Sequence, residues 1–316
     1  MSRFVSTADC WFLTGPTASG KTQAGIELAR RLGAEILSLD SMAVYRRMDV
    51  GTAKPCSIER VAVTHHLLDL VEPHEEFSVT QYLQAARTAV DDVRGRGRQV
   101  LFVGGTPLYL KALLRGISEG PPADWEFRRR MAREARLGTV NLHARVTEID
   151  PSTAARLHPN DTRRLIRAIE VFEKTGTPIS RLQHESRKSA AAPIHPVFVL
   201  QWGRSELAAR IEERVEAMFR NGLIAEVEGL LRLPAPLSRT ASQAVGYREV
   251  IAHLMGQHDL ATTKDLVKTR TRQFAKRQAT WFRSLTECRP VPMADDFVAA
   301  EVAERIVAEA GARRKA

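Results

Sequence analysis

The chain has 316 residues, of which 44% are hydrophobic and 27% charged, so it is ordinary globular material with room for about two domains rather than a disordered or fibrous chain. No apolar run approaches the ~18 residues of a bilayer span, no cleavable signal pattern precedes the first apolar run, and Cys10, Cys56 and Cys288 are too scattered for a disulfide framework or a zinc pair, so a cytoplasmic setting is expected. The net charge of +10 leaves two readings open: an electropositive surface for a large polyanion, or solvated Lys and Arg kept for solubility.

In chain order, Trp11-Phe12-Leu13 reads as a short buried strand. Gly15-Pro16-Thr17-Ala18-Ser19-Gly20-Lys21-Thr22 follows and fits GxxxxGK[ST]; Gln23 to Leu32 then has helical spacing. Strand, Gly-rich turn and helix are the context a phosphate loop requires. Its backbone N–H groups cradle phosphate oxygens at a helix N-terminus, Lys21 adds a point charge, and the Thr22 hydroxyl is placed to hold Mg2+. The pattern does not say whether the phosphate is transferred or merely leaves.

Ala34 to Leu39 is the next strand candidate and ends at Asp40. The carboxyl ends of parallel strands are where ligands sit, so Asp40 is a candidate metal ligand through water or a general base, or else a capping Asp at a loop start. Leu67 to Val71 is another strand candidate. His65 and His66 precede it, and adjacent histidines on extended chain face opposite ways and do not readily share one ion. Gln81 to Arg94 reads as a helix with Leu83, Ala86, Val90 and Val93 on one face, and Val100 to Val103 as a parallel strand. Gly104-Gly105-Thr106 then offers close backbone approach and a hydroxyl at the same edge, or a plain turn with a helix cap.

Two turn-rich segments, Ser118 to Asp124 and Ser186 to Pro193 with Pro196, interrupt this alternation. Between them Glu126 to Leu137, Pro151 to Leu157 and Asn160 to Thr175 read as helices, the last capped by Asn160 and closed by Gly176 and Pro178. Val197 to Leu200 returns as a strand. Leu207 to Arg220, Leu223 to Leu231, Tyr247 to Met255 and Asp265 to Leu285 continue as helices, and Ala310 to Ala316 reads as a frayed tail. The expected fold is α/β: a P-loop NTPase-like parallel sheet core (1–118 and 194–316) with an inserted all-helical domain (119–193) and a helical C-terminal region.

Basic residues cluster in three places: Arg128-Arg129-Arg130 with Arg133 and Arg136; Arg163, Arg164 and Arg167; and Lys268, Arg272, Lys276 and Arg283, with Phe274, Trp281 and Phe282 interleaved. Each is either a solvated helix face or a track for phosphates with aromatic planes for unpaired bases. Three such clusters on one basic chain favour nucleic acid.

Together these residues resemble the tRNA dimethylallyltransferases, the bacterial tRNA isopentenyltransferases. The resemblance spans nearly the whole chain. It is carried by the phosphate loop, Asp40-Ser41-Met42 with Tyr45, Met48-Asp49-Val50-Gly51-Thr52-Ala53-Lys54-Pro55, and His66-Leu67-Leu68-Asp69. Further along it is carried by Gly104-Gly105-Thr106-Pro107-Leu108-Tyr109, Asn160-Asp161 through Arg167-Ala168, Val245-Gly246-Tyr247-Arg248, and Lys276-Arg277-Gln278 with Trp281-Phe282-Arg283. It implies transfer of a dimethylallyl group from dimethylallyl diphosphate to N6 of the adenosine just 3′ of the tRNA anticodon. Asp40 is then the base and Thr106 its neighbour at the amine. Lys21, the loop N–H groups, Mg2+ on Thr22, and Arg214, with Arg210 and Arg220 as neighbours, stabilise the leaving diphosphate. The adenine must leave its stack.

Positions resembling the family's tRNA contacts are Asp40, Ser41, Met42 and Ala43, where many members carry Gln at the last; Thr106; Arg128; and Arg163, Arg164, Leu165, Ile166 and Arg167. Towards the C-terminus they are Gln243, Ala244, Val245, Gly246, Tyr247 and Arg248, then Lys276, Arg277, Gln278, Ala279, Thr280, Trp281, Phe282 and Arg283. The implied partners are tRNA, through its anticodon stem-loop, and dimethylallyl diphosphate. No membrane is implied, and the chain is expected to act as a monomer. ATP is expected to be a poor substrate or none, although the loop pattern is that of nucleotide-binding proteins. The competing readings are a small-molecule P-loop kinase, which leaves the basic helix and the insert unexplained, and a non-catalytic RNA-binding protein, against which the intact Lys21 and Thr22 argue.

Overall fold

The computed structural model describes residues 7–117, 120–187 and 197–314. Two compact units divide the chain: the described residues through Leu114 together with those from Val197 onward, and the segment from Arg115 to Arg187. The expected boundaries at 118/119 and 193/194 lie outside the described residues.

The first unit begins with β1 (Trp11–Thr14), α1 (Lys21–Leu32), β2 (Ala34–Ser38), α2 (Ser57–Ala62), β3 (His65–His66), α3 (Val79–Gly95), β4 (Gln99–Gly104) and α4 (Pro107–Arg115). The second unit holds α5 (Trp125–Arg136), α6 (Leu142–Ile149), α7 (Pro151–Ala154), α8 (Thr162–Thr175) and α9 (Ile179–Arg187). The first resumes with β5 (Val197–Gln201), α10 (Arg204–Arg220), α11 (Leu223–Leu231), α12 (Arg239–Ser242), α13 (Tyr247–Leu254), α14 (Leu260–Arg283), β6 (Cys288–Pro292) and α15 (Ala299–Arg314).

The six strands form one parallel sheet in the order β3-β2-β4-β1-β5-β6. Its four inner strands β2, β4, β1 and β5 are largely buried because both faces are covered. Phe12, Leu37 and Phe102 pack with α3, α4 and Phe282 on one side; Leu13, Ile36 and Leu101 pack with α1 and α15 on the other. Phe12 and Phe102 stack with ring centroids 5.1 Å apart. The register sets Thr14 beside Gly104 and Ser38 beside Val103, so the loops after β1, β2 and β4 open at one edge.

The edge is pinned by backbone. Leu39 N donates to the Val103 carbonyl at 2.8 Å and Thr106 N to the Leu39 carbonyl at 3.0 Å. Gly104 lies against this crossing: a Cβ on it would stand 2.3 Å from the Leu39 carbonyl oxygen. Gly104→Ala is therefore expected to destabilise the fold by about 1–3 kcal/mol, the usual cost of overpacking, by separating the β2 and β4 ends. An unfolding midpoint equal to that of the parent would show that the two strand ends yield freely.

In the helical unit, Met131, Val146, Leu165, Ile166 and Ile169 form the core. Asp124, Asn141, Asp150 and Asp161 cap its helices through Phe127 N, Ala144 N, Thr153 N and Arg164 N. The cap of α8 is thus Asp161 and not Asn160. Gly176, at φ 65°, closes that helix as expected.

Three other expectations are corrected. Leu67 to Val71 is not a strand: Leu67 and Asp69 have left-handed backbone (φ 63° and 55°), and only His65–His66 pairs in the sheet there. Cys288–Pro292 is an edge strand that its two prolines concealed, since Pro is tolerated only at an edge. The C-terminal segment is helical through Arg314, and Val302, Ala303, Ile306 and Ala310 pack into the core beside α1; residues 315–316 lie outside the described residues. The expected turn from Ser186 falls partly in α9 and from Lys188 outside the described residues.

Candidate active site

The phosphate loop holds a shape few side chains allow. Gly15 has φ 155°, Gly20 φ 83° and Ala18 φ 64°. A Cβ on Gly15 would meet Ser19 Oγ at 2.8 Å and the Leu200 carbonyl at 3.0 Å. Ala18 sits in left-handed backbone, a strain of order 1 kcal/mol that persists where surroundings over-determine it.

Those surroundings come from distant chain. Gln278 on α14 is buried; its Oε1 accepts from Thr17 N at 2.9 Å and its Nε2 donates to the Gly105 carbonyl at 2.6 Å. Trp202 Nε1 donates to the Ser19 carbonyl at 3.1 Å. Arg210 Nε donates to the Ala18 carbonyl at 2.9 Å, with its guanidinium 4.2 Å from the centre of the Trp202 ring. Gln278 is therefore a strap across the phosphate loop, with both ends of its amide engaged. Trp202 was missed from sequence, where nothing marks it, and Arg210 entered only as a neighbour of Arg214.

Lys21 opens α1 and donates from Nζ to the Pro16 carbonyl at 2.7 Å. Desolvation and the nearby Arg214 guanidinium push its ammonium down to about 7, with Asp40 acting in the opposite direction. Burial also lowers Arg214, again against Asp40. Arg214 Nη2 reaches the Thr52 carbonyl at 3.5 Å, while Arg214 Nε and Ser19 Oγ are buried with no hydrogen-bond partner. Buried orphan donors cost about 1–3 kcal/mol each, and two of them beside a phosphate loop mark where an anion belongs.

Asp40 follows β2. Its Oδ1 accepts from Met42 N at 2.8 Å and Ala43 N at 3.3 Å. Thr106 Oγ1 accepts from Ser41 N at 3.0 Å and lies 3.4 Å from Ser41 Oγ. One cavity of about 800 Å³ is lined by Thr17 to Thr22, Asp40, Ser41, Thr106 and Arg214. Met42, Val215 and Met218 supply its apolar wall, and Gln243, Ala244, Val245 and Arg277 also reach it. Cations for a phosphate and a carboxylate–hydroxyl pair therefore share one chamber.

Several expected RNA contacts are differently employed. Tyr247, Phe282, Leu165 and Ile166 are core side chains, at most 4% exposed. The resemblance placed them among the tRNA contacts as members of continuous stretches; in the fold their side chains are buried. Arg128 and Arg167 both grip the buried Glu170, Arg128 through Nε at 3.0 Å and Nη2 at 2.7 Å, and Arg167 also holds the Pro121 carbonyl at 2.9 Å. Lys264 and Lys268 pair with Glu216 at 2.9 and 2.8 Å and push it down to about 2, and Arg272 pairs with Glu212 at 2.9 Å. Arg248 pairs with Glu249, and Gly246 N donates to Glu249 Oε2. Arg163, Lys276, Arg277, Thr280 and Arg283 are exposed, as is Arg164 beside Asp161 at 3.5 Å. Ala279 and Trp281 are half-buried, with Lys111 Nζ 5.7 Å from the Trp281 ring centre.

Among the described residues no group of three or more His, Cys, Asp or Glu could hold a metal ion. His65 Nδ1 bonds the Val63 carbonyl, and His66 Nε2 meets Glu35. No helix of the described residues is long and apolar enough to cross a membrane.

The chain resembles known proteins over most of its length. The chain is 47% identical to a tRNA dimethylallyltransferase of Rhodopirellula baltica over 292 residues, 89% of this chain and 87% of that protein. It is 45% identical over 275 residues to one of Geobacter metallireducens, covering 86% and 89%. The crystal structure of the full-length tRNA isopentenylpyrophosphate transferase of Bacillus halodurans superposes with a TM-score of 0.71 at 35% identity, covering 98% and 97%. A eukaryotic dimethylallyltransferase acting on tRNA superposes with a TM-score of 0.74 at 26% identity, covering 90% and 74%. The IPP transferase family matches residues 43–285, and the chain belongs to that family.

Proposed function

We infer that this chain is a tRNA dimethylallyltransferase: it transfers the dimethylallyl group of dimethylallyl diphosphate to N6 of the adenosine next to the anticodon on its 3′ side and releases diphosphate. The observation that carries the reading is the single cavity in which Lys21 and Arg214 face Asp40 and Thr106. Its relatives' names supply the nucleic-acid half.

The diphosphate lies on the loop N–H groups from Gly20 to Thr22, with Lys21 and Arg214 beside it; Thr17 N is taken by Gln278 and Ser19 N by the Pro16 carbonyl. An exocyclic adenine amine is a weak nucleophile because its lone pair is delocalised. As the N6–C bond forms, the allylic C–O bond breaks and its electron pair leaves with the diphosphate, while the N6 proton passes to Asp40. Asp40 Oδ1 is held by two backbone N–H groups, which leaves Oδ2 for the amine. Preorganised cations matter most at the leaving oxygens, where charge grows. The donor set suits magnesium: Thr22 and Asp40 line one chamber without an all-protein carboxylate cage, and Mg2+ is commonly held by one or two side chains, phosphate oxygens and water. When bound, it adds charge neutralisation at the diphosphate.

Incubation with unmodified tRNA, magnesium and dimethylallyl diphosphate, followed by digestion and mass analysis, should show one adenosine carrying an added C5H8 unit. An unmodified digest from folded protein would overturn the reading. ATP in place of the prenyl diphosphate is expected to give no phosphoryl transfer.

The basic helix face of α14 is expected to track tRNA phosphates through Lys276 and Arg283 rather than through Lys268 and Arg272, whose charges are paired. Replacing Lys276 and Arg283 together by Gln should weaken tRNA binding and flatten the salt dependence of log affinity by roughly one unit for each phosphate no longer neutralised. Binding of dimethylallyl diphosphate should not change. An unmoved salt slope places the RNA elsewhere.

A further inference from the structure

Glu226, in the first turn of α11, accepts four hydrogen bonds. They come from the N–H groups of Asp49 at 2.7 Å, Val50 at 2.6 Å and Gly51 at 3.1 Å, and from the Tyr247 hydroxyl at 2.6 Å. Successive backbone N–H groups converging on one point form an anion nest, here filled by the protein's own carboxylate. A first-turn Glu often serves only its own helix dipole; this one is spent on a turn some 175 residues away in sequence.

The turn it holds is tightly determined. A Cβ on Gly51 would stand 2.5 Å from the Tyr247 ring. Ala53 has left-handed backbone at φ 48° and donates from N to the Val50 carbonyl at 3.1 Å, and Thr52 Oγ1 donates to the Met48 carbonyl at 2.6 Å. Lys54 is anchored next, through Nζ to the Tyr45 carbonyl, Asp49 Oδ1 and Asp69 Oδ1. What this rigid turn offers the cavity is the Thr52 carbonyl, which accepts from Arg214 Nη2. It is the one hydrogen-bond acceptor of Arg214 among the described residues, while Arg214 Nε stays buried and unpartnered.

We propose that Glu226 is a positioning residue for prenyl transfer: by locking the Asp49–Thr52 turn, with Tyr247 as its second support, it aims the Arg214 guanidinium at the leaving diphosphate. This rests on the reading of Arg214 as a diphosphate ligand. It also gives Tyr247 a task that its burial allows.

The test is a double-mutant cycle on the full chain, with magnesium and inorganic diphosphate as the calorimetric probe and single-turnover prenyl transfer as the second readout. In Glu226→Gln the amide NH2 faces backbone N–H groups, so the turn opens. Diphosphate affinity should fall about 10- to 100-fold, the scale of a misplaced binding group, with tRNA affinity unchanged. Tyr247→Phe should lose less, in the same direction. Because both act through Arg214, Glu226→Gln combined with Arg214→Gln should be no weaker than Arg214→Gln alone. Independent losses would instead multiply and would overturn the proposal, as would wild-type diphosphate affinity in Glu226→Gln. If Glu226→Gln fails to fold, the same cycle with Tyr247→Phe decides by the same criterion. Wild-type diphosphate affinity in Arg214→Gln overturns the reading of Arg214 itself, a failure distinct from that of Glu226.

Discussion

Replacing Lys21 by Ala is expected to abolish prenyl transfer, with a loss of at least about 10²–10³ in single-turnover rate, while unmodified tRNA still binds with wild-type affinity. The ammonium is already bent back onto the Pro16 carbonyl at 2.7 Å, so it is in place before any ligand arrives and needs little reorganisation when the allylic C–O bond breaks. The site is also tight: a Cβ on Gly105 would stand 3.5 Å from Lys21 Nζ and 2.7 Å from Gln278 Nε2. Lys21→Arg is therefore not a conservative change; the planar fork has no room beside the Gln278 strap, and it should be nearly as inactive as Ala. The check is single-turnover transfer beside tRNA binding. A matching fall in tRNA affinity, with the unfolding midpoint intact, would take Lys21 out of the diphosphate site.

The same lysine sets a pH dependence. Its ammonium is pushed down to about 7 by desolvation and Arg214, and a bound diphosphate raises it again. Below pH 7 the free enzyme already carries the proton, so binding gains nothing as pH falls. Above pH 7 the free enzyme must take up a proton to bind, so affinity should drop by about tenfold per pH unit until the pKa of the complex is reached. With dimethylallyl diphosphate as the probe, the ligand's last phosphate proton is largely gone above pH ~7, so the fall belongs to the protein. Calorimetry above pH 7 in buffers of different ionisation enthalpy should show the proton taken up, and Lys21→Ala should remove both the uptake and the slope.

Local chemistry was legible in the sequence wherever it rests on local geometry. GxxxxGK[ST] needs its glycines at Gly15 and Gly20 because their φ angles are positive, and the apolar runs around Leu13, Val100–Val103 and Val197–Leu200 are strands because both faces of the sheet are covered. Asp40 could be singled out as a candidate because it follows a strand at the sheet's carboxyl edge. Long-range partners were not legible. Gln278, Trp202 and Glu226 act on loops roughly 175–260 residues away, and no spacing rule reaches that far. Charge was the least reliable guide. The three basic clusters were real as composition, but Glu170, Glu212 and Glu216 claim Arg128, Arg167, Lys264, Lys268 and Arg272. A run of Arg in a sequence does not say which side chains face solvent and which face a carboxylate. Leu67 to Val71 failed for a related reason: its apolar pattern fits a strand, but Lys54 and Arg60 converge on Asp69, whose left-handed backbone breaks the extended run.

Asp40, the proposed base, has two proposed jobs that one substitution can separate. Its Oδ1 caps the Met42 and Ala43 N–H groups and so fixes the turn that carries Ser41 against Thr106. Its other oxygen is the candidate base. Asp40→Ala removes both functions. Asp40→Asn can keep a carbonyl oxygen on the two N–H groups, yet its amide nitrogen cannot accept the N6 proton. The expected result is an Asn variant that folds with an unchanged midpoint, binds tRNA and dimethylallyl diphosphate normally, and transfers the prenyl group about 10²–10⁴ times more slowly, the range for loss of a general base. Asp40→Glu should keep partial activity, because a carboxylate remains but is displaced by a methylene. Asp40→Ala should be at least as slow as Asn and also less stable, by about 0.5–2 kcal/mol for a lost cap. If Asn and wild type differ by less than tenfold in single turnover, proton removal is not the task of Asp40 and the carboxylate serves the turn alone. If instead Asn is slow and Ala is no slower, the two N–H bonds contribute to stability but not to the placement of Thr106, and the base function stands by itself.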